Sequence, residues 1–313
     1  MDALADVLKA IRLNANTYFC SDFHTSWGMS IPDSPEGKFH VVLEGECWLQ
    51  SVTNERPLHL QCGDIVALPT GGEHWIGDKP NSQRLSGADV VNAIATGDNP
   101  FSSPDHQAPI RNTLMCGSFS YDSSMDHPFL KDLPCIIHIQ AQHTPELAWL
   151  RTIATVLSVE SRQSSQGSTV MIDRLTEILF IQLIRQHMKV STEKIGYMAA
   201  LANRQIGQAL NLIHAEKEAE WTVKKLGEAV SLSRTAFTEK FTRLVGIPPK
   251  TYLLKWRLQK AKELLQNGKS PMYAIAELSG YSSESAFSKA FKELYSVTPG
   301  QARKSSAGTQ KAN

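Results

Sequence analysis

Between residues 221 and 303 one helix-turn-helix pattern occurs twice, and no other stretch constrains the chain as strongly. The first copy, WTVKKLGEAVSLSRTAFTEKFTRLVGIPP, runs from Trp221 to Pro249. The second, PMYAIAELSGYSSESAFSKAFKELYSVTP, runs from Pro271 to Pro299. A shift of 50 residues lays Ser233 on Ser283, Ala236 on Ala286, Phe237 on Phe287, Phe241 on Phe291, Leu244 on Leu294 and Pro249 on Pro299. The repeated positions are apolar, capping or helix-breaking, which are the ones a fold needs. The positions between them differ, as they do when two equal supports present different surfaces.

In the first copy, Thr222 caps a helix over Val223–Val230, and after the turn Ser233 caps a second helix, Arg234–Leu244. A period of 3.6 turns Ala236, Phe237, Phe241 and Leu244 inward and leaves Arg234, Thr235, Thr238, Glu239 and Thr242 outside. In the second copy Ser283 is the cap. Ala286, Phe287, Phe291 and Leu294 turn inward, and Glu284, Ser285, Ser288, Lys289 and Lys292 face out. A helix of this size fits the major groove of DNA, where outward residues of its first turns reach base edges. Arginine can donate twice to guanine, threonine can touch a thymine methyl, and glutamate can accept from a cytosine amino group. These outward residues and Ser283 are the candidate DNA contacts, with phosphate as frequent a target as a base. An introductory helix is expected over Asn203–Glu216. Between the copies, PKTYLLKWRLQKAKELLQNG (Pro249–Gly268) reads as one long helix with a proline start and a glycine stop. At 1.5 Å per residue it spans about 27 Å, a rigid spacer near the ~34 Å between successive major-groove faces.

The charge agrees. From residue 201 onward there are 18 Lys/Arg against 9 Glu and no Asp, whereas residues 1–200 hold 14 Lys/Arg against 22 acids. A basic half joined to an acidic half is the asymmetry of a chain that offers one domain to nucleic acid. The N-terminus (MDALADVLKAIR) lacks a leader's apolar core, and no run of 18 apolar residues occurs, so a cytoplasmic, nucleoid-associated bacterial protein without a membrane partner is expected. Five scattered cysteines, none in C-x-x-C spacing, suit reduced thiols rather than a disulfide framework.

Upstream, a short amphipathic helix (3–13) gives way to short apolar segments broken by Gly, Pro and Asp. Strands are expected at Phe39–Leu43, Cys47–Val52, Pro57–Gln61, Ile65–Leu68, Asn112–Tyr121 and Cys135–Ile139, with tight turns at Gly45 and Gly63. Such spacing predicts a small β-barrel or jelly roll, with the proline-rich loop 99–109 over its mouth. Helices then follow, over Pro145–Glu160 with Thr144 as cap, and over Thr169–Met188. The second is apolar on more than one face, which suits a dimer seam. Residues 189–200 connect to the basic half.

The segment GDIVALPTGGEH (Gly63–His74) resembles the second motif of the cupin family: Gly63, Pro69, Gly71 and His74 keep its spacing, with Asp78 where an Asn is usual. Counting back from Gly45, Lys38 stands where a metal-binding Glu belongs, and no His-x-His lies upstream. The motif offers His74 and a displaced His40, short of the three imidazoles and a carboxylate a cupin metal takes, so no metal and no cofactor are expected. What remains is an effector pocket, for which His40, Glu44, Trp48, His74 and Trp75 are candidates. A metal-dependent cupin enzyme fused to a DNA-binding module is the alternative.

The doubled motif and its closing GYSSESAFSKAFKELYSVTPGQAR resemble the AraC/XylS family of bacterial transcription regulators, with Gly280, Tyr281, Ser285, Phe287, Phe291, Lys292 and Pro299 filling its signature. Glu239 departs from the basic or amide residue many members carry. The resemblance implies promoter DNA and RNA polymerase as partners and activation more often than repression; the doubly apolar helix predicts a homodimer, and the missing metal ligands a non-enzymatic sensor domain. The signal is a small-molecule effector or an oxidant acting on Cys20 and Cys116, whose segments a barrel would bring together. The expected class is therefore α+β and multidomain: a cupin-like β-barrel (1–144), a helical dimerisation hairpin and linker (145–200), and an all-α DNA-binding domain (201–304). The last holds two helix-turn-helix motifs (222–244 and 271–294) and a connecting helix (249–266), followed by a tail (305–313).

Overall fold

The computed structural model describes residues 2–105, 108–122, 126–140, 148–163, 165–191, 194–215, 221–266 and 270–309. The expected cap Thr144 and helix start Pro145, together with Glu216 and Gly268, lie outside them. In chain order, helix α1 (Ala3–Ala10) precedes strands β1 (Asn14–Phe23), β2 (Gly28–Ile31), β3 (Gly37–Glu44), β4 (Glu46–Ser51), β5 (Leu58–Gln61), β6 (Ile65–Leu68), β7 (His74–Gly77) and β8 (Leu85–Ser86). Helix α2 (Gly87–Ala95), β9 (Asn112–Ser120), α3 (Pro128–Lys131) and β10 (Ile137–Ile139) follow. The remainder is helical: α4 (Ala148–Gln163), α5 (Ser168–Val190), α6 (Tyr197–Ala202), α7 (Arg204–His214), α8 (Val223–Ala229), α9 (Arg234–Val245), α10 (Pro249–Gln266), α11 (Met272–Leu278), α12 (Glu284–Tyr295) and α13 (Pro299–Thr309).

These elements form two compact units whose borders differ from the sequence boundaries. One, the sandwich unit, comprises Leu13–Tyr121 and Leu133–Ser191; the other, the helical unit, comprises Met1–Arg12, Asp122–Asp132 and Thr192–Asn313.

The sandwich unit holds two five-stranded sheets, ordered β1-β9-β3-β6-β10 and β5-β4-β7-β2-β8. They are open sheets, not the closed barrel expected. Val42, Val66, Leu68, Leu114 and Cys116 from the first sheet meet Met29, Cys47, Leu49, Leu60 and Ile76 from the second in one buried core. Phe101, from the proline-rich loop, is part of that core, with its ring 5.0 Å from Phe23. The outer face of the first sheet is covered by α5: the rings of Phe39 and Phe119 pack tilted with centroids 4.9 Å apart, and those of Phe119 and Phe180 at 4.6 Å. Burial on both faces explains why β6 reads as a continuous apolar run instead of alternating, and why β9 is buried along nearly its whole length. The second sheet has one buried face, and β4 alternates accordingly. Gly45 joins β3 to β4 at φ 78°, and a Cβ there would lie 2.2 Å from the Arg111 carbonyl oxygen, so only glycine fits.

In the helical unit, α1 packs on α7, and the Ala3 amide donates to Asn211 Oδ1 at 2.8 Å. Segment 122–132 belongs here too. Asp132 accepts the Met198 amide at 2.8 Å, and Asp126 pairs with Lys131 and Lys255 at 2.5 Å each. Those two ammonium groups hold the Asp126 carboxyl down to about 2. His127 donates from Nε2 to the Tyr252 hydroxyl at 3.0 Å, since its Nδ1 accepts the Phe129 amide. The helices of the repeat form as read, with Thr222, Ser233 and Ser283 accepting amide protons of their own first turns. The expected tail is helical through Thr309.

The repeat's register is finer than a uniform shift of 50. The second helices and their Phe pairs do follow it. The first helices follow a shift of 49: Leu226 matches Ile275, Gly227 matches Ala276, and the turn bonds Leu232 N to Gly227 O and Tyr281 N to Ala276 O are equivalent. Ser282 is thus one extra residue in the second turn. Ser231 (φ 58°) and Gly280 (φ 80°) become the equivalent left-handed positions, a conformation that is costly for serine and free for glycine.

Candidate DNA-binding surface and effector pocket

Helices α9 and α12 each bury two phenylalanines: Phe237 and Phe241 in one, Phe287 and Phe291 in the other. The side chains opposite them are therefore turned out. Arg234, Thr235 and Glu239 are exposed, as are Ser283, Glu284, Ser285, Lys289 and Lys292, while Thr238, Thr242 and Ser288 are half-buried. The Thr238 hydroxyl donates to the Arg234 carbonyl at 2.8 Å. Ser283 is committed as a cap, its Oγ accepting from the Ala286 amide at 3.2 Å.

One expectation is corrected in both copies. Ala236 and Ala286 are exposed, not inward. They occupy the third helical position, where the cap Oγ takes the backbone amide, and the inward stripe begins one residue later at the phenylalanine. A small exposed side chain on the first turn lets a helix backbone approach a groove closely. Arg243 is also exposed, near the end of α9.

In the sandwich unit the candidates separate by strand phase. Cys47 and Leu49 point into the core, so Trp48 points out, where it stacks on His59 at 4.3 Å. Ile76 points in, so Trp75 points out, with Arg84 4.0 Å over its ring. Glu44 ends β3 and is exposed. Of the five pocket candidates only His40 and His74 are buried inside.

Those two form a relay whose proton positions follow from one fixed acceptor. His74 Nδ1–H donates to the Gly72 carbonyl at 2.7 Å, so its Nε2 carries the lone pair. His40 Nε2–H donates to it at 2.9 Å, and His40 Nδ1 accepts the Cys116 thiol at 2.9 Å. Burial holds all three neutral: His40 is pushed well below the usual imidazole range, His74 down to about 4, and the Cys116 thiol well above its usual value.

A cupin metal would need three or four donor lone pairs converging on one point. Here both His40 nitrogens and both His74 nitrogens are engaged in the relay, and the thiol and His74 lie on opposite sides of the His40 ring. Among the described residues no group of three or more His, Cys, Asp or Glu is arranged to hold a metal ion. These residues do not fit the enzyme metal. Asp78 has a structural role, accepting the Ser26 hydroxyl at 3.1 Å and the Trp27 amide at 3.3 Å.

A cavity of about 300 Å³ opens beside His40, between β1, β3 and β9 of one sheet, β2 of the other, and α2. Its apolar wall includes Phe19, Met29, Ile31 and Val91, and Tyr18 and Lys38 supply polar groups. Helix α2 was missed, although Val90, Val91 and Ile94 stand at helical spacing. Cys20 and Cys116 lie on paired strands, but Cys116 pairs with Phe19 and Cys20 with Met115. One register step apart, the two thiols leave the sheet on opposite faces: Cys116 lines the cavity, while Cys20 bonds Ser158 of α4 at 3.6 Å. The sheet does not bring them together.

Two domains, one a sandwich with a cavity and one built on paired helices, define a sensor joined to a DNA-binding module. Residues 2–189 match the family model described as "Cupin", and residues 226–305 match the one described as "Helix-turn-helix domain". The HTH-type transcriptional regulator AlkR of Acinetobacter baylyi is 28% identical over 98% of this chain and 100% of its own length. A putative AraC-like transcription regulator of Streptomyces antibioticus is 28% identical over 97% of this chain and 99% of its own. The RCS-specific HTH-type transcriptional activator RclR of Escherichia coli is 27% identical, over 85% of this chain and 84% of its own. The chain belongs to the AraC family of HTH-type transcription regulators and carries an N-terminal cupin domain. Among the described residues no helix is long and apolar enough to cross a membrane.

Proposed function

We propose that this protein is a cytoplasmic, homodimeric transcription activator that reads promoter DNA with α9 and α12 as two helix-turn-helix motifs, under control of a small molecule bound in the sandwich cavity. The observation that carries this reading is the paired design of α9 and α12. Each is serine-capped, anchored by two buried phenylalanines, and presents its first turn to solvent. Helix α10, 18 residues long and about 27 Å by its rise, supports a fixed spacing between the two readers. Base or phosphate contact is assigned to Arg234, Thr235, Thr238, Glu239 and Thr242 in the first reader. Ser283, Glu284, Ser285, Ser288, Lys289 and Lys292 do the same in the second.

The dimer reading rests on α4 and α5, whose Val159, Val170, Met171 and Ile178 stay exposed while Leu179, Phe180, Leu183 and Ile184 cover the sheet. Activation, through contact with RNA polymerase, is supported by a relative named an activator. A ligand in the cavity is favoured over a Cys20–Cys116 disulfide because the two thiols face opposite ways. A regulator is favoured over a metal-dependent enzyme because the imidazoles are spent on each other. Promoter binding measured against salt tests the reading. Neutralising several phosphates predicts a steep linear fall of log affinity with log salt, and a flat response refutes it.

A further inference from the structure

We infer that the sandwich cavity takes an uncharged, mainly apolar molecule of about 10–14 non-hydrogen atoms that carries one hydrogen-bond acceptor, and that it discriminates against carboxylates. The inference rests on the reading of this cavity as the effector site and names the chemistry of its ligand. Size comes first. The cavity's volume of about 300 Å³ is roughly twice that of an apolar cavity that holds one benzene (~150 Å³).

Polarity comes from what the buried part of the wall has left to offer, the exposed Asn92 amide of α2 aside. His40 and Cys116 line the cavity, but their donors and acceptors are consumed in the relay that ends on Gly72. Ser34 is closed on its own turn, with Oγ donating to the Glu36 carbonyl at 3.1 Å and accepting the Glu36 amide at 3.0 Å. The Tyr18 hydroxyl donates to Glu36 Oε2 at 3.2 Å and accepts from Lys38 Nζ at 3.1 Å. Lys38 Nζ also reaches Glu36 Oε2 at 3.3 Å, so two of its three protons are placed and one remains for a ligand.

Charge decides the class. The Lys38 side chain is only 12% exposed and its charge is already balanced by Glu36. Burial alone would raise the Glu36 carboxyl, but hydrogen bonds from Lys38, Ser118 and Tyr18 hold it below its usual range, so it is ionised at neutral pH. A ligand carboxylate at the free Lys38 proton would meet an ammonium already paired, with a second carboxylate just beyond it. Attraction and repulsion largely offset, and the desolvation cost of the incoming anion is left uncompensated. A ketone or alcohol oxygen accepts the same proton without that cost, while its apolar body covers Phe19, Met29, Ile31 and Val91. A cation meets the same desolvation cost and finds at Lys38 a donor and no acceptor.

The test uses the full-length protein and calorimetric titration with 2-nonanone and with nonanoate at neutral pH. The expected result is saturable 2-nonanone binding at least tenfold tighter than nonanoate. Glu36→Gln removes the balancing charge and should move the preference at least tenfold toward nonanoate. Ala88→Trp, at an exposed cavity-lining position, should remove binding of both while leaving the thermal transition in place. Tighter binding of nonanoate by the unaltered chain, an unmoved preference in Glu36→Gln, or no saturable binding of either probe would overturn the inference. Binding as expected with no change in promoter affinity would uphold the ligand chemistry and overturn the cavity's regulatory role instead.

Discussion

The His40–His74 pair makes the sandwich unit acid-sensitive in a calculable way. Burial, the largest cause, lowers His74 to about 4, and the unfolded chain restores it to about 6.5. The folded-state value is thus below the unfolded one. The stability tied to this group is whole above pH 6.5, declines as pH falls below that, and is fully lost below about pH 4. At pH 5 the unfolded ensemble carries nearly a full proton at His74 and the fold about a tenth of one, which integrates to about 2 kcal/mol. His40 is lowered by burial too, and by His74 and Lys38, so it adds loss of the same sign. The assay is urea unfolding at pH 7 and pH 5, followed by hydrogen exchange of peptides covering β3 and β9. His127, lowered to about 3, and His214 add acid sensitivity in the helical unit, and those peptides exclude it. Substituting both imidazoles together, His40→Leu with His74→Leu, removes the titration without orphaning either partner of their mutual bond. The double variant should lose about 2 kcal/mol or more of the pH dependence. An unchanged midpoint between pH 7 and pH 5, or a double variant as acid-sensitive as the parent, refutes the relay as drawn.

Other expectations address the helical unit. Arg234→Ala and Lys289→Ala should each weaken promoter binding, by about 1–3 kcal/mol where the contact is to a base, or lower the salt slope by about one where it is to phosphate; fluorescence anisotropy reads both. Phe237→Ala and Phe287→Ala, at fully buried rings, should each cost about 3–5 kcal/mol of stability in urea unfolding. Ser231→Gly relieves a left-handed serine at an exposed turn and should stabilise by about 1 kcal/mol. Gly280→Ala introduces the same strain and meets Arg257 at 2.8 Å, so its melting temperature should fall. Trp48→Phe lies on the outer face of its sheet and should leave the response to any cavity ligand unchanged.

Much of the helical unit was legible because its signals are local. Caps act within one turn, and Phe237 and Phe241 mark the buried stripe through a period fixed by the backbone itself. What stayed hidden there depends on a single residue of turn length. The sequence match at Phe and Pro positions cannot see that Ser282 lengthens the second turn, because Ser231 and Gly280 differ in type and agree only in φ. Segment 122–132 was assigned by chain order to the sensor half. Its anchors, Asp126 to Lys255 and His127 to Tyr252, span well over a hundred residues, and no local pattern records such a bond.

The sandwich unit was harder to read for a different reason. A strand's period of two says which side chains share a face but not which face is inside, and that choice belongs to the partner sheet. For β4 it could have been settled from Cys47 and Leu49 against Trp48 and Gln50, since only the first pair is uniformly apolar. For β3 it could not, because its uniformly apolar set, Phe39, Val41 and Leu43, lies on the outer face under the helices, while Lys38 and His40 share the inward face with Val42. The two motif imidazoles show where resemblance and chemistry part. The cupin spacing places His74, and strand pairing places His40 against Cys116, but neither spacing nor pairing says what the rings bond to. Once Lys38 stands in place of a carboxylate, no third donor among the described residues converges, and the two buried imidazoles satisfy themselves on each other, the thiol and the Gly72 carbonyl. The same substitution puts an ammonium on the cavity wall beside Glu36. One change of residue type thus accounts both for the failed metal site and for the polar group that a ligand would meet.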